Sequence, residues 1–132
     1  MKPLTEKEAD IMDKLWKKDD EMISHEIMDM FPEPRPKLFT VSAFLRILVD
    51  KGWVKSRPIG NTYLYKATIS QEEAGKRALN LIQSKFFKGS RINMVNTLLK
   101  DESISDGELE ELLQKMEQMV SEKNKKLDVK TL

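Results

Sequence analysis

The sequence predicts a mostly α-helical protein with a small β-hairpin wing: a winged helix-turn-helix domain followed by a three-helix dimerisation domain. Three observations predict it. Residues 40–66, TVSAFLRILVDKGWVKSRPIGNTYLYK, join a helical pattern to two strand-like runs. Two earlier helical patterns and a proline-alternating link, Pro32, Pro34 and Pro36, lead into them. Three further amphipathic segments follow, too short to build a good core by themselves. The expected boundaries are 1–69 for the winged-helix domain, 70–122 for the helical dimerisation domain and 123–132 for a flexible tail without periodicity.

Thr5 and Glu8 form a capping box for the first helix, with Leu4 before the cap as a staple and Ile11, Met12, Leu15 and Trp16 as the buried stripe. That helix is expected to stop near Lys18. Asp19, Asp20 and Glu21 then make a polar turn or short edge segment. Ser24 is the expected cap of a second helix, on which Ile23, Ile27 and Phe31 repeat every four residues until the prolines end it. In the third helix Val41, Phe44, Leu45 and Leu48 share one face, and Gly52 closes it after a basic last turn. Residues 53–57 and 62–66 read as strands separated by the turn formers Pro58, Gly60 and Asn61. Ser70 with Glu73 opens a helix bearing Ala74, Ala78, Ile82 and Phe86, and Gly89 with Ser90 breaks it. A segment from Arg91 to about Lys100 comes next. Ser105 with Glu108 then opens a last helix along Leu109, Leu112, Leu113, Met116 and Val120.

Composition narrows the function classes. The 132 residues are 39% hydrophobic and 34% charged, enough for a modest core in a soluble, helix-rich chain. The absence of cysteine removes disulfides, thiolate metal sites and cysteine nucleophiles together. No apolar run is long enough to span a bilayer, so a cytoplasmic location without membrane insertion is expected. The net charge of +1 divides unevenly: residues 1–34 carry 5 − 10 = −5, residues 35–69 carry 7 − 1 = +6, and residues 70–132 carry 11 − 11 = 0. The positive excess coincides with the third helix and hairpin, a footprint suited to phosphates.

That helix and hairpin supply the candidate DNA contacts. Ser42 can donate to or accept from a base edge, Ala43 can meet a thymine methyl, and Arg46 can reach guanine or phosphate. Thr40, near the helix start, suits a phosphate, and Lys37 lies in the basic approach. On the hairpin, Lys55 and Arg57 are phosphate candidates, Asn61 sits at the tip, and Tyr63 can bring a hydroxyl to the backbone. Trp53 is expected beneath the hairpin as core. The candidate dimer interface consists of Leu79, Ile82, Phe86, Phe87, Met94, Val95, Leu98, Leu109, Leu112, Leu113 and Met116. No catalytic residue, metal ligand or cofactor is expected: there is a single histidine, His25, and no nucleophile-base pair or phosphate-cradling glycine loop. Glu110 and Glu111 are adjacent on a helix and do not face each other.

The segments LTEKEADIMDKLW, TVSAFLRILVDKGWV, GNTYLYKATIS and ISDGELEELL, in this order and spacing, resemble the BlaI/MecI penicillinase-repressor family of bacterial transcriptional regulators. The resemblance implies a winged-helix domain, a helical dimerisation domain, and a homodimer that represses genes from a two-fold symmetric DNA operator, with a resistance or stress operon as the setting. It also implies, for many members, a membrane-bound sensor protease that triggers cleavage in the dimerisation domain. Two features depart from the family pattern. Ser42 and Ile47 stand where the family commonly has arginines, so the operator sequence does not transfer. Thr97 and Leu98 stand where its Asn-Phe cleavage bond is typical, so release by that proteolysis does not transfer either. The competing expectation is a winged-helix module that docks an acidic protein partner without sequence-specific DNA binding.

Overall fold

The computed structural model describes residues 1–131, with side chains through residue 127. The chain forms two compact units, Met1–Leu81 and Ile82–Leu132, which divide within a helix.

The first unit begins with α1 (Glu6–Lys18), capped as its sequence predicts: Glu8 N–H donates to Thr5 Oγ1 at 3.3 Å and Thr5 N–H donates to Glu8 Oε1 at 3.1 Å. Asp19, left-handed at φ 50°, ends it. The chain then forms an edge bridge at Met22 before α2 (Ser24–Asp29). Ser24 is not the cap of α2. The paired bonds Met22 N–H to Tyr65 O (3.0 Å) and Tyr65 N–H to Met22 O (2.8 Å) hold the backbone extended up to Ile23, which becomes the N-cap, and Glu26 accepts from Ile23 N–H at 3.2 Å. Helix α3 (Leu38–Asp50) also starts earlier than its threonine suggests. Lys37 is the N-cap, because the chain turns helical as soon as Pro36 is passed, and Thr40 lies inside the first turn.

Two strands follow, β1 (Val54–Ile59) and β2 (Thr62–Ala67), antiparallel with Ile59 opposite Thr62 and Val54 opposite Ala67. The turn is therefore only Gly60-Asn61. Gly60 takes φ 55° at the first central position, the placement of glycine in a type II′ hairpin. Pro58, expected in the turn, lies within β1 opposite Tyr63, tolerated because β1 pairs on one side only.

Apolar residues of α1, α2, α3 and the hairpin meet in one core: Ile11, Met12, Leu15, Met22, Ile27, Val41, Leu45, Leu48, Trp53 and Val54. Both indoles are anchored by hydrogen bonds, Trp16 Nε1 to Ile69 O at 3.0 Å and Trp53 Nε1 to Lys2 O at 2.7 Å. Glu8 is the buried charge of this unit, and Lys51 at the end of α3 pairs with both of its oxygens, Oε2 at 2.8 Å. Burial alone would raise the Glu8 pKa. The Lys51 ammonium and the hydrogen bonds of the capping box outweigh it and hold the carboxyl below its ordinary range. Helix α4 (Gln71–Phe86) adds Ala74 to the same core and carries the chain out of the unit.

The second unit contains the end of α4, α5 (Arg91–Leu99) and α6 (Asp106–Thr131). Ser90 accepts from Asn93 N–H and Ser105 from Glu108 N–H, each at 3.1 Å, so serines start both helices. Gln83 Nε2 donates to Gly89 O at 2.8 Å and ties off the turn after α4. Helix α6 continues through the stretch expected to be an aperiodic tail as far as Thr131, and Leu132 lies outside the described residues. No described residue of α5 is buried, and the side chains of α6 through residue 127 are exposed.

Candidate nucleic-acid interface

Helix α3 buries Val41, Leu45 and Leu48 and turns its other side outward. Phe39, Ala43, Arg46, Ile47 and Asp50 are exposed at helical spacing, forming one stripe along that side. Phe39 is 85% exposed and Ile47 42%. A purely solvated stripe favours polar residues. This one alternates apolar groups with an arginine, the mixture that meets thymine methyls and base edges in a major groove.

A cleft of about 420 Å³ lies between α3, the start of α2 and the hairpin. It brings together four of the sequence-predicted contacts, Ser42, Arg46, Asn61 and Tyr63, with Ser24, Ser56, Thr62 and Tyr65. Six hydroxyls, an amide and a guanidinium thus line one recess, all able to donate to phosphate or sugar oxygens. Tyr63 and Tyr65 stand side by side on β2, ring centroids 6.4 Å apart at 43°. Burial raises the Tyr65 pKa, tempered by the nearby Arg46 charge, so the phenol stays a donor at neutral pH.

Other predicted contacts lie elsewhere. Lys37 at the N-cap of α3, and Thr40 and Ala43 on it, are exposed outside the cleft. Lys55 and Arg57 alternate with Ser56 on β1 and so face away from it. Arg57 is already engaged: its Nε lies 3.0 Å from both Glu21 oxygens and its Nη2 lies 2.7 Å from Oε2. That fork holds the Glu21 carboxyl below its ordinary range. Of the seven cations in residues 35–69, Arg35, Lys51 and Arg57 are in salt bridges. Among the described residues Lys37, Arg46, Lys55 and Lys66 are not. Lys55 sits directly opposite Lys66 across the hairpin, a like-charge pair that costs stability unless an anion lies against it.

Sequence reading assigned no contact to Phe39, Ser24, Ser56 or Thr62, and it placed Tyr65 on the strand face of Tyr63 without committing it to the site. Strand alternation carries the signal for the hairpin residues, because a two-residue turn at Gly60-Asn61 places Ser56, Tyr63 and Tyr65 on one face. Placing Pro58 in the turn hid that register. Phe39 lies at the second helical position of α3.

In the second unit, Ile82, Phe86, Val95, Leu98, Leu109, Leu112, Leu113 and Met116 are exposed, while Phe87 and Met94 are half-buried. Leu79, exposed on α4, belongs to the first unit. Among the described residues no cluster of His, Cys, Asp or Glu could hold a metal ion, and no helix is long and apolar enough to cross a membrane.

A helix offering polar and methyl-binding groups, followed by a hairpin with unpaired lysines, defines a winged-helix DNA-binding regulator. The family comparison agrees. The model of the penicillinase repressor family matches residues 4–118, and the chain belongs to that family. No curated protein matches it. Among solved structures, one titled "The complex structure of hsRosR-S1" is similar at 23% identity, over 76% of this chain and 92% of that one, with a TM-score of 0.48.

Proposed function

We propose that this protein is a homodimeric, sequence-specific transcriptional repressor that occupies a two-fold symmetric operator in the cytoplasm, with α3 in the major groove and β1–β2 as the wing. The exposed stripe of α3 carries the reading, since it combines Arg46 with apolar groups that have no covering partner within the unit. In this assignment Ser42, Ala43, Arg46 and Phe39 face base edges. Lys37, Thr40, Lys55, Arg57, Asn61 and Tyr63 face the phosphate backbone. Residues 70–122 hold the two copies together through the apolar faces of α4, α5 and α6, and the regulated genes form a resistance or stress operon. Cleavage by a sensor protease is not part of the reading, given Thr97 and Leu98 in place of the family's usual bond.

Selection of bound DNA from a random pool tests recognition and symmetry together. The expected product is a pair of inverted half-sites whose binding weakens steeply with salt. Two-fold protein assembly without any palindromic preference would favour a protein-docking module instead. Within a selected half-site, Arg46→Ala should cost about 1 to 3 kcal/mol and relax discrimination at one base step. A uniform loss on all sequences would move Arg46 to the phosphate backbone.

A further inference from the structure

Phe39 is 85% exposed, more than any other large apolar side chain among the described residues, and it lies on the helix proposed to enter DNA. Its position on α3 sets where the ring stands. It is the second helical residue, and helical side chains lean toward the N-terminus, so the ring projects from the leading end of the helix. That is the end a recognition helix turns toward base edges. Ala43 follows one turn later on the same exposed stripe, and its short side chain lets the helix approach closely while Phe39 reaches farther.

The surroundings of Phe39 suit a polyanion. Lys37 and Thr40 flank it, both exposed, and the first turn of α3 holds no acidic residue. Base chemistry then narrows what the ring meets. Along the major groove the base edges offer donors and acceptors, and the one apolar group among them is the thymine 5-methyl. Against the amino group of cytosine, a phenyl ring would strip water from a donor and return no hydrogen bond, which is unfavourable. Against thymine it buries a methyl group.

We infer that Phe39 fixes thymine at one position of each operator half-site by packing on the 5-methyl group, a discrimination separate from that of Arg46. The inference rests on α3 being the recognition helix. The test takes the full chain and an operator selected from random DNA, with each thymine replaced in turn by deoxyuridine. That exchange deletes the methyl and keeps the pairing and hydrogen-bonding edges. At the position under Phe39 it should weaken binding about fourfold per half-site, the value of one buried methyl group. Phe39→Ala should bind the thymine and deoxyuridine operators equally at that position, whereas Phe39→Leu, still apolar, should keep part of the difference. Neither variant should change binding to random DNA. Because the ring is exposed in the free protein, both variants should keep the native circular dichroism spectrum. A pool that yields no preferred site defeats the repressor reading and this inference with it. A preferred site at which no deoxyuridine matters, or at which Phe39→Ala leaves the deoxyuridine effect intact, leaves the repressor reading standing and overturns the role of Phe39. So does a loss from Phe39→Ala that is equal on operator and random DNA.

Discussion

The two units use the same kind of amphipathic helix and dispose of its apolar face in opposite ways. In Met1–Leu81 the stripes of α1, α2 and α3 converge, and Met12, Met22, Ile27, Val41, Leu45 and Leu48 are each 0% exposed. In Ile82–Leu132 the stripes are equally regular, yet Phe86 is 77% exposed, Leu98 62% and Leu113 56%. The first unit closes its own core with the hairpin as a lid. Among the described residues the second has no sheet to lay over its helices, and its apolar faces stay exposed. If the proposed homodimer holds, the stability of the second unit is tied to the copy that covers it.

The largest expected effect breaks the second unit alone. Leu113→Glu with Met116→Glu places two carboxylates on the exposed face of α6. Sedimentation should change from dimer to monomer, and operator affinity should fall on the order of 100-fold or more, because the second half-site loses its effective concentration. Unchanged sedimentation would place the dimer contact elsewhere. The contrast sharpens with one leucine from each unit. Leu45→Ala, in the closed core, should cost about 2 to 5 kcal/mol at any protein concentration. Leu98→Ala should show a cost that depends on protein concentration, since its burial requires a partner. Equal, concentration-independent costs would mean that the second unit is closed after all.

Acid provides a finer test of the first unit. The Glu8 pKa is lower folded than unfolded, so its contribution is fully present above the ordinary carboxylate range and is lost as pH falls through the folded value. Glu8→Gln should therefore cost about 3 kcal/mol at neutral pH, the lower end for a broken buried pair because Lys51 stays partly in water. In acid the variant and the native chain should converge. Denaturant melts at both pH values measure this, and a difference that persists in acid would assign the loss to packing.

The comparison also shows what a sequence can carry. Helix starts were legible where a serine or threonine caps locally, as at Thr5, Ser70 and Ser105, because that chemistry involves residues three apart. The start was misplaced at Ser24, where a β-bridge between Met22 and Tyr65 decides it from outside the helix. The site divides similarly. Ser42 and Arg46 follow from helix periodicity, but Ser56 and Tyr65 need the hairpin register, and the clamp of Arg57 by Glu21 joins residues thirty-six apart. No local pattern contains that pairing, so a charge count treated Lys51 and Arg57 as equivalent to Lys55.

The Arg57 clamp provides the smallest and most specific test. Glu21 holds the guanidinium by three contacts of 2.7 to 3.0 Å, so a phosphate must displace a carboxylate to use it. Lys55 and Lys66 lie on the same hairpin face, and among the described residues neither is in a salt bridge. Glu21→Gln removes the negative charge and leaves Arg57 available. Binding should then tighten by the same factor on operator and random DNA, and the slope of log affinity against log salt should steepen by about 0.9, one added phosphate contact. An unchanged slope would place Arg57 off the backbone. A weakened complex would mean that Glu21 presents Arg57 to the phosphate rather than withholding it, making the acid-base pair a positioning device of the wing.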